Sequence, residues 1–367
     1  MTVWTVVFFA VGVTALVVGA EALVRGAARL ARRTGLSPVV IGLTVVAFGT
    51  SAPELAVSLG AALRDESDLA VGNVVGSNIA NVLLVLGLSA VVGGGLVVAQ
   101  RIVRIDVPLM LALSIAVFVL GYDGELDRWE GLAFVAALVV YITWTVISTR
   151  RSGEVSIAEE YDEALSEDKL RESSTVADIG FVLAGLVLLV IGSTALVEAA
   201  TDIASSLGVS ELVIGLTVVA VGTSLPEIAT SVLAAARGQR DLAVGNAVGS
   251  NLFNILAVLG ITALVSPSSI PISDGALSLD IPVMIAVAIA CLPIFWTGYA
   301  LLRWEGWVFL TYYVAYIGWL IIDSGDHAFR QEYAVALLGF VVPLTALTFV
   351  VITVRERRGD RSVARGH

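Results

Sequence analysis

Two glutamates, Glu54 and Glu227, stand in the middle of long apolar segments, and each ends a Gly-Thr-Ser-x-Pro-Glu motif. An ionisable side chain at membrane depth is costly unless it is paired or hydrated, so a functional role is its default interpretation. The proline removes one helical hydrogen bond and disfavours helix in the residue before it. We therefore predict that both helices break beside the glutamate. The freed carbonyls then turn toward a cavity, where irregular backbone is tolerated inside a membrane.

A second motif, Gly-Asn-x-Val-Gly-Ser-Asn, begins at Gly72 and again at Gly245, and each copy is followed by a further asparagine. Ser77 and Asn81 are four residues apart and share one helix face, as do Ser250 and Asn254. The two motifs together supply carboxylates, hydroxyls, amides and carbonyls, which are all hard oxygen donors. Such a set fits Ca2+ or Na+ and does not suit Zn2+ or Cu+. Two carboxylates also balance the charge of one Ca2+.

Both motifs occur twice at an offset of 173 residues. Residues 41–55 and 214–228 agree at twelve of fifteen positions, and residues 68–87 and 241–260 agree at fifteen of twenty. A weaker echo pairs an Asp-x-Pro at 106–108 with one at 280–282. The chain is therefore predicted to be built from two copies of one unit.

The composition indicates an integral membrane protein. Of the 367 residues, 57% are hydrophobic and 14% are charged, against about 25% charged in a soluble domain. A spanning helix needs about 20 apolar residues, which predicts an all-α protein with eleven spans, at residues 3–24, 37–62, 69–96, 105–122, 128–149, 177–198, 210–236, 242–265, 280–299, 304–323 and 332–354. Five spans per copy is an odd number. We therefore expect two inverted five-helix repeats, ten transmembrane helices in all, with discontinuous helices at the ion site and one extra C-terminal transmembrane helix.

The distribution of basic residues predicts the orientation. With the N-terminus outside, 18 of the 21 Lys and Arg residues fall in cytoplasmic segments, as the positive-inside rule requires. We expect a multi-pass protein of the cell membrane with a cytoplasmic C-terminus. The net charge of −11 and the lack of a basic patch argue against nucleic acid as a partner. The predicted domains are a first repeat, an acidic cytoplasmic linker, a second repeat, and the extra helix with a basic tail, at residues 1–149, 150–176, 177–323 and 324–367.

The four motifs resemble the α-repeats of the Ca2+/cation antiporter superfamily, in particular its prokaryotic sodium/calcium exchangers, and the resemblance covers nearly the whole chain. It implies that one Ca2+ or three Na+ bind at overlapping sites, that helices one and six slide to alternate access, and that the ions are transported substrates with no cofactor. Some members carry Asp where this chain has Asn81 or Asn254, and Asn at both positions argues against K+ cotransport. The ion-binding residues that the resemblance implies are Ala47, Thr50, Ser51, Glu54, Ser77, Asn81, Ala220, Thr223, Ser224, Glu227, Ser250 and Asn254.

The sequence fits three other functions less well. In a proton-coupled cation exchanger, Glu54 and Glu227 would carry protons as well as metal. The H+/Ca2+ branch of the superfamily has a different acidic motif, which favours Na+ coupling. A channel usually has a continuous pore and oligomeric symmetry, whereas inverted halves suit alternating access. An intramembrane enzyme is not expected, because Gly121-Tyr-Asp123-Gly has no second Gly-x-Gly-Asp and no His-Glu-x-x-His motif occurs. The sequence predicts no oligomeric state.

Overall fold

The computed structural model describes residues 3–64, 67–152, 174–206 and 220–324. The predicted helix at 332–354, the C-terminal tail, most of the acidic linker and the first ten residues of the predicted span 210–236 lie outside the described residues. The described part is almost entirely helical.

Six helical segments precede the linker: α1 (Val3–Thr34), α2 (Pro38–Thr50), α3 (Ala52–Ala62), α4 (residues 67–92), α5 (Ile102–Asp123) and α6 (Arg128–Ser152). Six more follow it: α7 (Thr175–Ser206), α8 (Ala220–Thr223), α9 (Leu225–Ala236), α10 (Arg240–Val265), α11 (Ala276–Trp296) and α12 (Arg303–Ser324). Eight of these helices are long and apolar enough to cross a membrane, and the bent pair α2–α3 would form a ninth span.

The predicted break beside Glu54 is present. Helices α2 and α3 meet at Ser51 with a bend of 42°, and Pro53 lies in the first turn of α3. The second motif shows the same arrangement, because α8 ends at Thr223 and α9 begins at Leu225. Proline is accepted in a first helical turn since the N–H that it lacks has no partner there.

The ends predicted for helices one and six are wrong. Helix α1 runs to Thr34 rather than to residue 24, and α7 runs to Ser206 rather than to residue 198. The arginines that were expected in a loop after α1 lie on the helix and bind acids. Arg33 pairs with the buried Asp178 of α7 at 2.6 Å, and Arg25 pairs with Glu21 one turn back.

Helices α1 and α7 pack against each other along their length at backbone contact. Three glycines spaced by seven residues, Gly12, Gly19 and Gly26, carry this seam on α1, and Gly185 and Gly192 carry it on α7. A Cβ atom at Gly185 would lie 2.6 Å from the backbone nitrogen of Leu23. No side chain fits there, which explains why the helices approach so closely.

The motif helices α4 and α10 form the centre of the protein and are the most buried of the spans. Helix α2 lies against α10 across small residues. A Cβ atom at Gly245 would come 2.8 Å from the carbonyl oxygen of Val39, and one at Gly249 would come 2.8 Å from Cα of Leu43. The helix that leads to the Gly-Thr-Ser-x-Pro-Glu motif of the first half thus packs directly on the Gly-Asn-x-Val-Gly-Ser-Asn motif of the second half.

Two short antiparallel strand pairs connect the halves. Strand β1 (Leu96–Val97) pairs with β4 (Ala300–Leu301), and β2 (Glu125–Leu126) pairs with β3 (Ile270–Pro271). The repeat relates β1 to β3 at an offset of 174 residues and β2 to β4 at an offset of 175. Exchanging the two halves therefore exchanges the two strand pairs.

Carboxyl–tyrosine pairs also recur at equivalent places, one of them buried and the other partly buried. Tyr141 of α6 donates to Asp106 of α5 at 3.0 Å, and Tyr316 of α12 donates to Asp280 of α11 at 2.8 Å. Both aspartates end π-helical segments, Ile102–Asp106 and Ala276–Asp280. Each pair fixes a helix to its successor in the chain.

The glycine seam leads to a stability prediction. Replacing Gly185 with Ala forces α1 and α7 apart, and overpacking of this kind costs about 1–3 kcal/mol. Gly180→Ala on the same helix is the matched control, since a Cβ atom there meets nothing within 4 Å. Thermal unfolding of the purified protein in detergent should show a clearly lower midpoint for Gly185→Ala than for Gly180→Ala. Equal midpoints for the two variants would contradict the close packing of α1 against α7 at Gly185.

Candidate cation site

Glu54 and Glu227 occupy equivalent places in the first turns of α3 and α9. Ser51 and Ser224 precede these helices with nearly identical backbone angles, φ −82° and ψ 4° for Ser51 and φ −84° and ψ 4° for Ser224. Both carboxyl side chains are buried, with 1% and 0% of the residue exposed. A helix N-terminus stabilises a negative charge, so the two breaks place each carboxylate at a favourable end of its helix.

The first half contributes to the carboxylate of the second half. The hydroxyl of Ser51 in the first half donates to Oε1 of Glu227 at 3.4 Å, and the hydroxyl of Ser250 lies 3.5 Å from the same oxygen. Glu54 and Glu227 are close enough for their charges to repel. The two motif copies therefore build one site rather than two separate ones.

Several acceptor oxygens of this site have no hydrogen bond. They are both carboxylate oxygens of Glu54, Oε2 of Glu227, and the amide oxygens of Asn81 and Asn254. A buried polar group left unsatisfied is costly, and such groups call for an explanation. A bound cation supplies one, because it takes oxygen ligands that hold no proton.

The hydroxyl residues of the motifs lie at the same place. Thr50 donates to Oδ1 of Asn246 at 3.2 Å and lies 3.4 Å from Oγ of Ser250. It also contacts the carbonyl of Ala47 at 3.4 Å. Ser224 of the second half donates to Ser77 of the first half at 3.4 Å.

Asn81 and Asn254 each begin a π-helical segment, Asn81–Leu86 in α4 and Asn254–Leu259 in α10. Short π-helical segments are frequent at functional sites, and both asparagines are buried. The hydroxyl of Thr223 donates a hydrogen bond to Oδ1 of Asn73 at 3.5 Å. Of Ala220 only the backbone is described, as the first residue of α8.

The structure adds two residues that were absent from the predicted set, Asn73 and Asn246. The amide of Asn73 donates to the carbonyl of Glu54 at 3.2 Å and to Ser58 at 2.9 Å. The amide of Asn246 donates to Ser231 at 2.9 Å. These asparagines brace the helix that carries each glutamate and receive a threonine from the opposite half. The signal was in the sequence, since Asn73 and Asn246 are equivalent in the repeat.

The candidate ligands of this site are oxygen atoms, and only the two glutamates among them are ionisable. Among the described residues no group of three or more His, Cys, Asp or Glu side chains could hold a metal ion. Two anionic carboxylates together with neutral hydroxyl, amide and carbonyl oxygens form a ligand set of the kind that Ca2+ accepts.

Comparison with known proteins places this geometry in a family. The sequence matches the family model described as sodium/calcium exchanger protein over residues 4–147 and 178–322. It is 39% identical to inner membrane protein YrbG of Escherichia coli K12 over 276 residues, covering 74% of this chain and 80% of that protein. It is 34% identical to sodium/calcium exchanger MaX1 of Methanosarcina acetivorans, covering 78% of this chain and 89% of that protein.

A solved structure of the sodium–calcium exchanger NCX_Mj is similar in fold. It superposes with a TM-score of 0.73 at 30% sequence identity, covering 87% of this chain and 99% of that one. The chain therefore belongs to the sodium/calcium exchanger family, within the Ca2+/cation antiporter superfamily, and is a multi-pass membrane transporter rather than an enzyme.

Proposed function

We propose that the protein is a secondary active antiporter that exchanges Na+ for Ca2+ by alternating access at the site between Glu54 and Glu227. The hydrogen bond from Ser51 to Glu227 carries this proposal, because it makes one shared site from two halves. The proposed ion ligands are Ala47, Thr50, Ser51, Glu54, Ser77, Asn81, Ala220, Thr223, Ser224, Glu227, Ser250 and Asn254.

The electrostatics of the site support exchange. Two buried carboxylates carry two negative charges, which one Ca2+ neutralises. Adding Na+ beside a bound Ca2+ would leave uncompensated positive charge in a medium of low dielectric constant, where Coulomb energies are large. The two substrates therefore exclude each other, and one must leave before the other binds.

Na+ rather than H+ is the proposed coupling ion. MaX1 and NCX_Mj are both named for sodium and calcium, and the all-oxygen ligand set suits Na+. The alternative is a proton-coupled Ca2+ exchanger in which Glu54 and Glu227 are protonated in one step of the cycle. A relative at 38% identity, from Alkalimonas amylolytica, is named only as a putative antiporter, so the alternative enters the test below.

We further propose ten transmembrane helices in two inverted repeats, with the N-terminus outside. The strand pairs support this arrangement. In the proposed orientation the loops that carry β1 and β4 both lie on the cytoplasmic face, and the loops that carry β2 and β3 both lie on the outer face. Each strand pair thus joins loops of the same side. The similarity to YrbG, an inner membrane protein, supports the cell membrane as the location. The acidic linker and the extra C-terminal helix remain predictions.

Helices α1 and α7 are the proposed moving body. Their glycine seam and the Arg33–Asp178 ion pair join them into one unit. Glu21 of α1 pairs with Arg237, which follows α9, at 2.6 Å. Helix α1 packs against α9, whereas α7 makes far less contact with the equivalent helix α3. In the proposed orientation Arg237 is cytoplasmic, so this arrangement closes the cytoplasmic side.

Transport in proteoliposomes tests the function. Vesicles preloaded with Na+ should take up 45Ca2+, and matched vesicles with only a pH gradient should not. Glu54→Gln and Glu227→Gln should each abolish uptake, because breaking a buried charged site costs about 3–5 kcal/mol, or about a hundredfold or more in affinity. Glu125→Gln, a change of an exposed outer residue, is the matched control and should transport normally.

Uptake driven only by the pH gradient would replace Na+ coupling by proton coupling. Uptake that survives Glu54→Gln and Glu227→Gln would show that the site is elsewhere.

The Glu21–Arg237 ion pair gives a gating prediction. A partly exposed ion pair contributes about 0.2–1 kcal/mol, so Arg237→Gln should shift the conformational equilibrium up to about fivefold toward the cytoplasm-open state. The half-saturating Ca2+ concentration should then rise on the outer side and fall on the cytoplasmic side. Arg25→Gln is the control, since Arg25 pairs with Glu21 within α1. Swapping the charges, Glu21→Arg with Arg237→Glu, should restore the original values. Identical shifts in Arg25→Gln would contradict the gate.

A further inference from the structure

Two of the three methionines in the chain occupy equivalent positions in the two halves. Met110 and Met284 each follow the proline of the repeated Asp-x-Pro by two residues. Both are buried, with 1% and 2% of the residue exposed. They lie on α5 and α11, which carry none of the residues assigned to the cation site.

Each methionine sulfur accepts a hydrogen bond from an asparagine of the opposite half. The amide nitrogen of Asn251 donates to Sδ of Met110 at 3.1 Å, and that of Asn78 donates to Sδ of Met284 at 3.5 Å. Asn78 also donates to the backbone carbonyl of Asn251 at 3.4 Å. The two asparagines are equivalent in the repeat, and they meet where α4 and α10 approach.

The thioether determines which end of each amide faces it. A thioether sulfur accepts hydrogen bonds and donates none, and the same is true of a backbone carbonyl. The NH2 ends of Asn78 and Asn251 must therefore face these acceptors, and the Oδ1 ends must point away from them. Neither Oδ1 atom has a hydrogen-bond partner, although both residues are buried to at least 98%.

Both asparagines adjoin proposed cation ligands along their helices. Asn78 directly follows Ser77 and is three residues before Asn81, so it is a surface neighbour of Asn81 on the same helix. Asn251 has the same relation to Ser250 and Asn254. A buried acceptor without a donor is costly, and a hard cation is a group that would satisfy such an oxygen.

We propose that Oδ1 of Asn78 and Oδ1 of Asn251 are additional ligands of the transported cation, and that Met284 and Met110 are positioning residues that hold these oxygens toward it. This inference rests on the proposed cation transport. The cation is a hard ion, Na+ or Ca2+, and the arrangement links α5 and α11 of the surrounding scaffold to ligand geometry in the centre. Each half again orients a ligand of the other half.

The test measures ion affinity in purified protein and in proteoliposomes. Asn78→Ala and Asn251→Ala should each raise the half-saturating concentration of Ca2+, of Na+ or of both by about tenfold, as expected for loss of a charge-assisted contact. Met110→Leu and Met284→Leu conserve volume and should raise it about two- to tenfold while the melting temperature stays near that of the wild type. Separate titrations with 45Ca2+ and with competing Na+ identify which ion the oxygens hold.

A double-mutant cycle separates positioning from packing. Met110→Leu should add nothing to Asn251→Ala, because the methionine acts only through that amide, and it should add fully to Asn78→Ala. Ser114→Ala, one turn along α5 from Met110, is the matched control, since among the described residues the Ser114 hydroxyl donates to the backbone carbonyl of Met110 and not to its sulfur. It should leave both half-saturating concentrations unchanged.

Unchanged affinities in Asn78→Ala and Asn251→Ala would overturn this inference, provided that the wild type transports and Glu54→Gln does not. Additive effects of Met110→Leu and Asn251→Ala would overturn the positioning role. A wild type without cation-driven uptake would instead refute the proposed function.

Discussion

The burial of two like-charged carboxylates in the middle of an apolar protein is the constraint on which the rest of the structure depends. Glu54 and Glu227 repel each other and have lost their water, so they persist only where other groups compensate for both costs. The helix breaks place each carboxylate at a helix N-terminus, Ser51 and Ser250 donate to Glu227, and Asn73 holds the backbone of Glu54. In the proposed function, a bound cation offsets the remaining cost.

Duplication solves the problem of building such a site in a membrane. Several contacts of each half are made by residues of the other half. Thr50 reaches Asn246, Thr223 reaches Asn73, and the strand pairs join loops of different halves. Because α2 packs on α10 through glycines, the backbone of one half sets the position of ligands in the other. In the proposed mechanism, a movement of α1 and α7 would therefore act on both carboxylates at once, as alternating access requires.

Much of this arrangement followed from the sequence, for identifiable reasons. The repeated proline fixed both helix breaks, and the apolar spans from α4 to α6 and from α10 to α12 lie within a few residues of their predicted positions. The end of α1 was predicted wrongly because arginines beyond an apolar run read as a loop. Here they pair with Asp178 and Glu21, contacts that no local pattern reveals. The bracing role of Asn73 and the thioether contact of Asn251 depend on tertiary neighbours from the other half, so the repeat could show that these residues matter but not what they touch.

Equilibrium Ca2+ binding to the purified protein in detergent tests the central claim most directly. One site shared by both carboxylates predicts one Ca2+ per chain, displaced competitively by Na+, and loss of that single binding event in Glu54→Gln and equally in Glu227→Gln. Two Ca2+ per chain in the wild type, with one retained in each single variant, would contradict the account. That result would mean that the two halves hold separate sites and that the contacts between them have only a structural role.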